Sequence, residues 1–347
     1  MDSPLAPLSA PVSAEDALRR TAFLLERRME SSYRIEAFRK ALDVVQALKP
    51  NELEYRIQLG TLQKIDGIGK TTASLITEAV QGKLPSYLAK LQDEAEPLAE
   101  GGAEIRAALR GDLHMHSNWS DGGSSIEAMA QTAIDLGHEY AVLTDHSPRL
   151  QVANGLSAER LTEQLEIIEL MNSMFEDFRL LKGIEVDILD DGALDQTPEM
   201  LDRLDVVVAS VHSKLRMPSR EMTARMLEAV RTPRVNVLGH CTGRLIRGGR
   251  GKRPPSEFDA EAVFGACAEN DVAVEINSRL EREDPPDDLI ALALDAGCLF
   301  SIDSDAHAPG QLEFKAYGAA RAERLGVPPE RIVNTWPVDD LLSWANV

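Results

Sequence analysis

Cysteine is scarce. Cys241, Cys267 and Cys298 are the three in 347 residues, and no two form a C-x-x-C pair. Their wide spacing excludes a cysteine-ligated zinc site and suits the reducing cytoplasm. Long apolar runs are also missing: no stretch of about 18 residues is continuously apolar, so no membrane helix is expected. The opening MDSPLAPLSAPV lacks the basic start and apolar stretch of a signal peptide. Positive charge is in deficit, with 37 Lys+Arg against 57 Asp+Glu. The deficit is uneven. Residues 1–110 hold 15 basic and 16 acidic side chains, whereas residues 111–347 hold 22 and 41, a net of −19. Such a C-terminal part repels polyanions at long range, which argues against broad coating of nucleic acid. Bound cations would offset part of the excess, and the rest reads as a solvated acidic surface. A hydrophobic fraction of 44% excludes a disordered chain. At this length two domains are expected, or one large barrel with an appendage.

Residues 1–12 are rich in Pro, Ser and Ala and are expected to lack order. Ser13 can cap a helix from Ala14, with Leu18, Ala22, Leu25 and Met29 at helical spacing. A second helical stretch runs from Ile35 to Leu48, with Phe38, Leu42 and Val45 on one face, and a third covers Leu53 to Leu59. Ile65-Asp66-Gly67-Ile68-Gly69-Lys70 then opens a helix running to about Val80, and Gly82 and Pro85 punctuate the chain beyond it. Residues 13–92 therefore read as an all-helical domain, and 93–110 as a linker with a short helix.

From Gly111 the pattern changes. Apolar segments at 112–116, 140–146, 180–189, 204–212, 235–240, 272–277 and 299–305 alternate with helical stretches at 125–136, 158–175, 219–230, 260–269 and 286–296. Strand–helix alternation over 111–347 implies a parallel sheet closed into a β/α barrel.

Six of the seven histidines, His114, His116, His146, His212, His240 and His307, stand at or just beyond the C-terminal end of an expected strand; His138 does not. Chemistry in a β/α barrel is built at those ends. One such histidine reads as a hydrogen-bonded core residue, but six at equivalent places over five strands read as a site. Asp121, Glu185 and Asp305 join them. The pairs His114/His116 and Asp305/His307 are two residues apart, which in extended backbone puts both side chains on one face. Imidazoles mixed with a few carboxylates suit Zn²⁺, Mn²⁺ or Fe²⁺ better than Mg²⁺ or Ca²⁺. Nine candidate ligands exceed the needs of one ion and point to two or three metals. No Gly-x-Ser-x-Gly elbow is present.

His114-Met115-His116, Ser120-Asp121-Gly122, Thr144-Asp145-His146-Ser147, Gly183-Ile184-Glu185, Ser210-Val211-His212-Ser213, Gly239-His240 and Ser304-Asp305-Ala306-His307 occur in order. This set closely resembles the PHP (polymerase and histidinol phosphatase) superfamily over about residues 111–320. The resemblance implies a distorted seven-stranded β/α barrel with a trinuclear metal centre. By position, one ion would take His114, His116, Glu185 and Asp305. A second would share Glu185 and add His212 and His240, and a third would take Asp121, His146 and His307. Several segments, among them 187–192, 204–213 and 239–244, look like the PHP domain fused to bacterial family X DNA polymerases. The N-terminal region looks like the small helical domain of those enzymes, here without their polymerase core.

The Gly67/Gly69 turn resembles a helix-hairpin-helix module, whose glycines let backbone approach a phosphate closely and whose next helix opens with amides pointing at it. Lys70 could add a charge. The Schiff-base lysine of related lyase domains falls at Leu75 here, so no lyase activity is expected. Residues 242–255 carry Arg244, Arg247, Arg250, Lys252 and Arg253 among glycines, against the acidic trend. With Lys214 and Arg279, Arg244 and Arg247 are candidates to hold a substrate phosphate. Glu185, Asp305 and Arg244 are the candidate catalytic residues. Cys241 is expected to be inert, His138 to pack near its helix end, and Trp119 either to pack or to stack a base. The expected activity is metal-dependent hydrolysis of phosphate esters in the cytoplasm, at DNA ends as a 3′–5′ exonuclease or 3′-end processing enzyme. The chief rival is a small-molecule phosphatase of the histidinol-phosphate type; a third class is a non-enzymatic DNA-binding adaptor.

Overall fold

The computed structural model describes residues 6–49, 51–249 and 251–346. The chain divides into two compact units, residues 1–97 and 98–347. Among the described residues, no helix is long and apolar enough to cross a membrane.

The first unit packs helices α1 (Ala14–Arg27), α2 (Ser32–Ala47), α3 (Glu52–Gln58), α4 (Lys70–Val80) and α5 (Ser86–Asp93). Ser13 caps α1 as its sequence requires, with its hydroxyl accepting from the Asp16 amide at 3.0 Å. Leu18, Leu25, Phe38, Leu75, Ile76 and Leu88 form the core. Helix α2 starts three residues before the apolar period, because its first turn, Ser32-Tyr33-Arg34, is exposed and carries no period to detect. Residues 6–12 do not behave as the expected loose tail. The backbone of Leu8 exchanges two hydrogen bonds with the Gln92 side chain, Arg20 donates to the Ala6 carbonyl, and Val12 is buried. Residues 1–5 lie outside the described residues.

The second unit opens with α6 (Ala103–Ala108). Ile105 of this helix enters the main apolar cluster, the Gly102 amide donates to Glu323, and Arg106 pairs with Glu313. Part of the expected linker is thus built into this unit. Seven strands come next: β1 (Gly111–Met115), β2 (Tyr140–Leu143), β3 (Arg179–Asp187), β4 (Val206–Ser210), β5 (Val237–Leu238), β6 (Ala273–Asn277) and β7 (Phe300–Asp303). They pair in chain order, all parallel. A Met115–Ala306 bridge brings the ends together, so the barrel is nearly closed. The main flanking helices are α7 (Ile126–Asp135), α8 (Ala158–Asn172), α9 (Pro198–Leu201), α10 (Ser219–Val230), α11 (Ala260–Glu269), α12 (Asp287–Asp295) and α13 (Lys315–Arg324).

Strand alternation separates two apolar clusters. Ala141, Leu143, Ile184 and Ile302 face the helices, while Leu113, Tyr140, Val142, Leu181, Val206, Val208, Val237 and Ala273 fill the barrel. The inner cluster is completed by Val333, Leu341 and Ala345. The last two lie on α14 (Val338–Ala345), which no periodicity in the sequence announced. Asn334 ties this segment to β7, accepting from the Ile302 amide at 2.7 Å and donating to Asp303 at 2.8 Å. The apolar plug leaves the other end of the barrel interior to polar side chains. Leu341 is fully buried within the plug, so Leu341→Ala should lower unfolding stability by about 2–5 kcal/mol in chemical denaturation. A loss under about 0.5 kcal/mol would mean that the C-terminal helix is not part of the core.

Candidate metal centre

The C-terminal strand ends bring all nine expected ligands together around Glu185. Its Oε2 lies 3.4 Å from His114 Nε2, 3.6 Å from His116 Nε2 and 2.8 Å from His146 Nδ1. Its Oε1 lies 3.2 Å from His212 Nε2 and 2.8 Å from His240 Nε2. Asp121 Oδ1 sits 3.3 Å from both His146 Nε2 and His307 Nε2, and Asp305 Oδ1 sits 3.5 Å from His116 Nε2. Three groups have the closeness needed for an ion: His116, Asp121, His146 and His307; His114, His116 and Asp305; and His146, Glu185 and His212. His116 and His146 each belong to two of them, a sharing not anticipated in sequence.

The donor set fits divalent cations. Both Glu185 oxygens, His114 Nε2, both His116 ring nitrogens and His146 Nδ1 are buried without a hydrogen-bond partner. Orphaned polar atoms are costly unless something satisfies them. Here nearly all are Lewis bases aimed at one another, and mixed imidazole and carboxylate donors are a Zn²⁺, Mn²⁺ or Fe²⁺ set. The electrostatics divide the donors. Burial opposes charge on Glu185, yet the surrounding imidazoles, His212, His114 and His146 foremost, hold its carboxyl well below the usual range. Burial likewise opposes charge on Asp305, and Arg279 leads the groups that hold it ionised. Burial, with the charge of Arg282, pushes His240 down to about 3, which keeps its ring neutral. Burial also drives His116 well below its ordinary value, helped by His307 and His146. Against the pull of burial, the neighbouring carboxylates raise His114, His146 and His212 above their ordinary values; neutral imidazole and ionised carboxylate are the forms that bind metal, so cations entering there would displace those protons.

Beneath the ligands lie carboxylates that the sequence pattern did not single out. Glu275 Oε1 is 2.6 Å from His114 Nδ1, and Asp187 Oδ1 is 3.1 Å from His212 Nδ1. Each holds one ring nitrogen so that Nε2 turns toward Glu185. Several also take backbone amides from a neighbouring strand end. Glu275 accepts from His240, Asp187 from His212, Asp303 from Leu113, and Asp112 from Ser304. Asp145 accepts from the Ser117 amide and from the Ser117, Ser120 and Gln164 side chains, fixing the loop that carries Asp121. These bonds replace the strand ladder where it stops, so β5 can be two residues long while His240 stays in place. The available signal was the alternation Glu185/Asp187 and Glu275/Asn277, which points a second polar residue inward on the same strand. The same-face argument does not apply to Asp305/His307. Asp305 lies beyond β7 with φ +50°, so a left-handed turn, not extended backbone, presents the pair.

The expected phosphate contacts separate. Arg279 reaches the cluster: its Nη1 is 2.8 Å from His307 Nδ1 and 3.2 Å from the Asp305 carbonyl. Lys214 is instead paired with Asp190 on the surface. Arg244, expected to act in catalysis, spends its Nε on the carbonyls of Arg282 and Glu283, at 3.0 and 2.7 Å. Arg247 similarly donates to the Leu280 carbonyl and is exposed. Arg250 lies outside the described residues. Guanidinium donors meet unpaired carbonyls of the facing loop, so the basic segment braces that loop. Cys241 is a buried free thiol that burial holds well above its ordinary pKa, and is therefore inert. His138 closes the end of α7 by donating its amide to the Ala133 carbonyl, and its ring lies 2.9 Å from Lys315 Nζ. Trp119 packs against the main apolar cluster with the Arg160 guanidinium 6.0 Å from its ring centre.

In the first unit, Gly67 has φ +91°, and a Cβ there would meet Lys40 and Val44 at 3.0–3.1 Å. Gly69 differs: its φ is ordinary and a Cβ would meet nothing within 4 Å. The Gly69 amide is taken by Thr72 Oγ1 at 2.9 Å, so any phosphate contact falls to the later amides at the start of α4. Lys70 opens that helix and is exposed.

Residues 112–279 match the PHP domain family, and residues 13–83 match a helix-hairpin-helix domain. The DNA polymerase/3′-5′ exonuclease PolX of Bacillus subtilis is 37% identical over 233 residues, which cover 67% of this chain and 40% of that protein. The chain thus spans well under half the length of that relative. The probable phosphatase YcdX of Escherichia coli is 27% identical over 238 residues, 65% of this chain and 90% of that protein. A crystal structure of histidinol phosphate phosphatase from Lactococcus lactis, complexed with zinc, L-histidinol and phosphate, aligns with a TM-score of 0.46 at 18% identity, covering 63% of this chain and 94% of that one. Residues 112–279 are thus a PHP domain and residues 13–83 a helix-hairpin-helix domain, the pairing by which this chain resembles bacterial family X DNA polymerases.

Proposed function

We propose that this chain is a metal-dependent phosphoric ester hydrolase whose substrate is a DNA end, processed as a 3′–5′ exonuclease or 3′-end phosphoesterase. The observation that carries the hydrolase reading is Glu185, a buried carboxylate whose two unpartnered oxygens face five imidazoles. Two or three Mn²⁺, Zn²⁺ or Fe²⁺ ions would be held by His114, His116, Glu185 and Asp305, by Glu185, His212 and His240, and by Asp121, His146 and His307. Such ions supply Lewis acidity that activates water and neutralises charge on phosphoryl oxygens. The chain's own groups do the rest. Glu275 and Asp187 orient His114 and His212, Asp145 fixes the Asp121 loop, and Arg279 places a cation at the rim. Three buried free thiols suit a cytoplasmic setting.

The helix-hairpin-helix domain and the similarity to an exonuclease support DNA. The −19 balance of residues 111–347, from 22 basic and 41 acidic side chains, favours the rival, a small-molecule phosphatase of the histidinol-phosphate type. The two are separated at Gly69, where a side chain meets open space and spares the fold, unlike at Gly67. Gly69→Val should weaken binding of labelled single-stranded DNA about tenfold at low salt, through loss of close phosphate contacts. Hydrolysis of a small chromogenic phosphodiester with Mn²⁺ should be unchanged. Parent affinity for DNA should also fall with added salt. A parent with no salt-sensitive DNA binding that hydrolyses histidinol phosphate efficiently would replace the DNA reading with the phosphatase one.

A further inference from the structure

Asn277 ends β6 and is fully buried. It stands two residues after Glu275, so both side chains point into the barrel. Its amide meets three groups. Oδ1 accepts from the Arg279 amide at 3.1 Å. Nδ2 donates to Glu275 Oε2 at 3.2 Å and to Asp305 Oδ2 at 3.1 Å. These partners fix which way the amide faces. A backbone N–H can only donate, so the atom before Arg279 has to be oxygen. Carboxylate oxygens accept, and Glu275 Oε2 already accepts from the His240 amide, so the atom between the two carboxylates has to be nitrogen. An aspartate here would set oxygen against two carboxylates. A leucine of similar shape would leave all three groups without this partner, at the cost of burying them.

The bridge holds the orientation of Asp305, whose two oxygens face different ways. Oδ1 lies 3.5 Å from both His116 Nε2 and His307 Nδ1, inside the ligand cluster. Oδ2 faces Asn277 Nδ2, and the Arg282 Nε 3.3 Å away supplies charge but no hydrogen bond. Strand pairing does not impose this arrangement, because Asp303 is the last residue of β7 to pair with β6 and Asp305 follows in a left-handed turn. The other end of the bridge is firm. Glu275 is fixed by the His114 ring at 2.6 Å and by the His240 amide. The Asn277 backbone amide donates to the Asp284 carbonyl at 2.9 Å. Asn277 therefore joins a carboxylate that holds His114 and His240 to one that is itself a candidate ligand.

We infer that Asn277 is a positioning residue of the metal centre, holding Asp305 Oδ2 so that Asp305 meets its cation through Oδ1 alone. The inference rests on the metal-dependent hydrolase reading and concerns how one of its ligands binds. A carboxylate can coordinate with one oxygen or with both. With both, Asp305 would fill a position that a catalytic ion keeps open for water. Because the amide is neutral, it restrains Asp305 without cancelling the negative charge that draws a cation in.

The test uses the full chain loaded with Mn²⁺ or Co²⁺, with bis(p-nitrophenyl) phosphate as the substrate. Asn277→Ala should weaken Mn²⁺ binding about 10- to 100-fold in competition with a chelating dye. At saturating Mn²⁺, kcat should stay about tenfold or more below the parent while KM remains near the parent value. The visible absorption of the Co²⁺ form should weaken, because a second Asp305 oxygen raises the coordination number. A role confined to stability would leave that spectrum unchanged. A crystal structure of the Mn²⁺-loaded parent should show Asp305 Oδ1 on the ion and Oδ2 still on Asn277, and it decides alone if the alanine variant does not fold. Both Asp305 oxygens on one ion in the parent overturn the inference. So does an unchanged cobalt spectrum in a folded variant, which would make Asn277 a packing residue. A parent that takes up neither Mn²⁺ nor Co²⁺ overturns the metal-dependent reading, and this inference with it.

Discussion

Glu185→Gln is expected to lower phosphoester hydrolysis by at least about 10³-fold, because the loss of cation binding removes several kcal/mol of charge stabilisation. Glu185 is fully enclosed, its two oxygens divided between His114, His116 and His146 on one side and His212 and His240 on the other. An amide keeps the shape but offers one oxygen instead of two. It also turns an N–H₂ group toward ring nitrogens or cations, and it lacks the charge that lets one carboxylate serve two ions. Metal content by elemental analysis should fall alongside activity, while near-ultraviolet circular dichroism reports an intact barrel. A variant with parent turnover and parent metal content would remove Glu185 from the centre.

The second large effect concerns stability. Treatment with chelator followed by saturating Mn²⁺ should raise the melting temperature of the barrel unit by on the order of 10 °C. Cations that bind only the folded state stabilise it by about 4 kcal/mol at a thousandfold excess over Kd, and each kcal/mol moves a domain of this size by about 2–4 °C. The unpartnered atoms of Glu185, His114, His116 and His146 are the cost that binding would remove. The eight residues of the three groups and His240 all lie in residues 98–347, where the shift is expected. A shift below about 1 °C with millimolar Mn²⁺ and with Zn²⁺ would mean that the cluster holds no tightly bound ion.

Much of the site was legible because the features that mark it are local. A histidine at or just past the end of an apolar segment is visible in sequence, and six of them on five segments identify one end of a barrel before any coordinates exist. The hairpin was legible for the same reason, since Gly67 and Gly69 sit together within one short run. Side chains that act across the fold were not. Glu275 and Asp187 look like ordinary acids in apolar strands, yet they lie 2.6 and 3.1 Å from ring nitrogens of residues 161 and 25 positions away. Arg244 showed a charge and a place near His240, but what that charge would meet depended on a loop some forty residues later.

The sequence by itself determined the class of this protein: a helical unit with a glycine hairpin, seven alternating strands and helices, and a nine-residue donor set suited to transition metals. These arise from periodicity, turn chemistry and residue type, which act over a few positions along the chain. Tertiary structure alone decided which donors face which. It showed that His116 and His146 each lie in two groups, that Asp305 presents its side chain through a left-handed turn, and that α14 plugs the barrel. It also showed that Arg279 reaches the ligands while Arg244 spends its Nε on carbonyls of the facing loop. The physical reason is that strand closure juxtaposes residues far apart in sequence, and burial then makes each unpaired oxygen or nitrogen count. A linear pattern says which polar groups exist; only packing shows which of them remain unsatisfied.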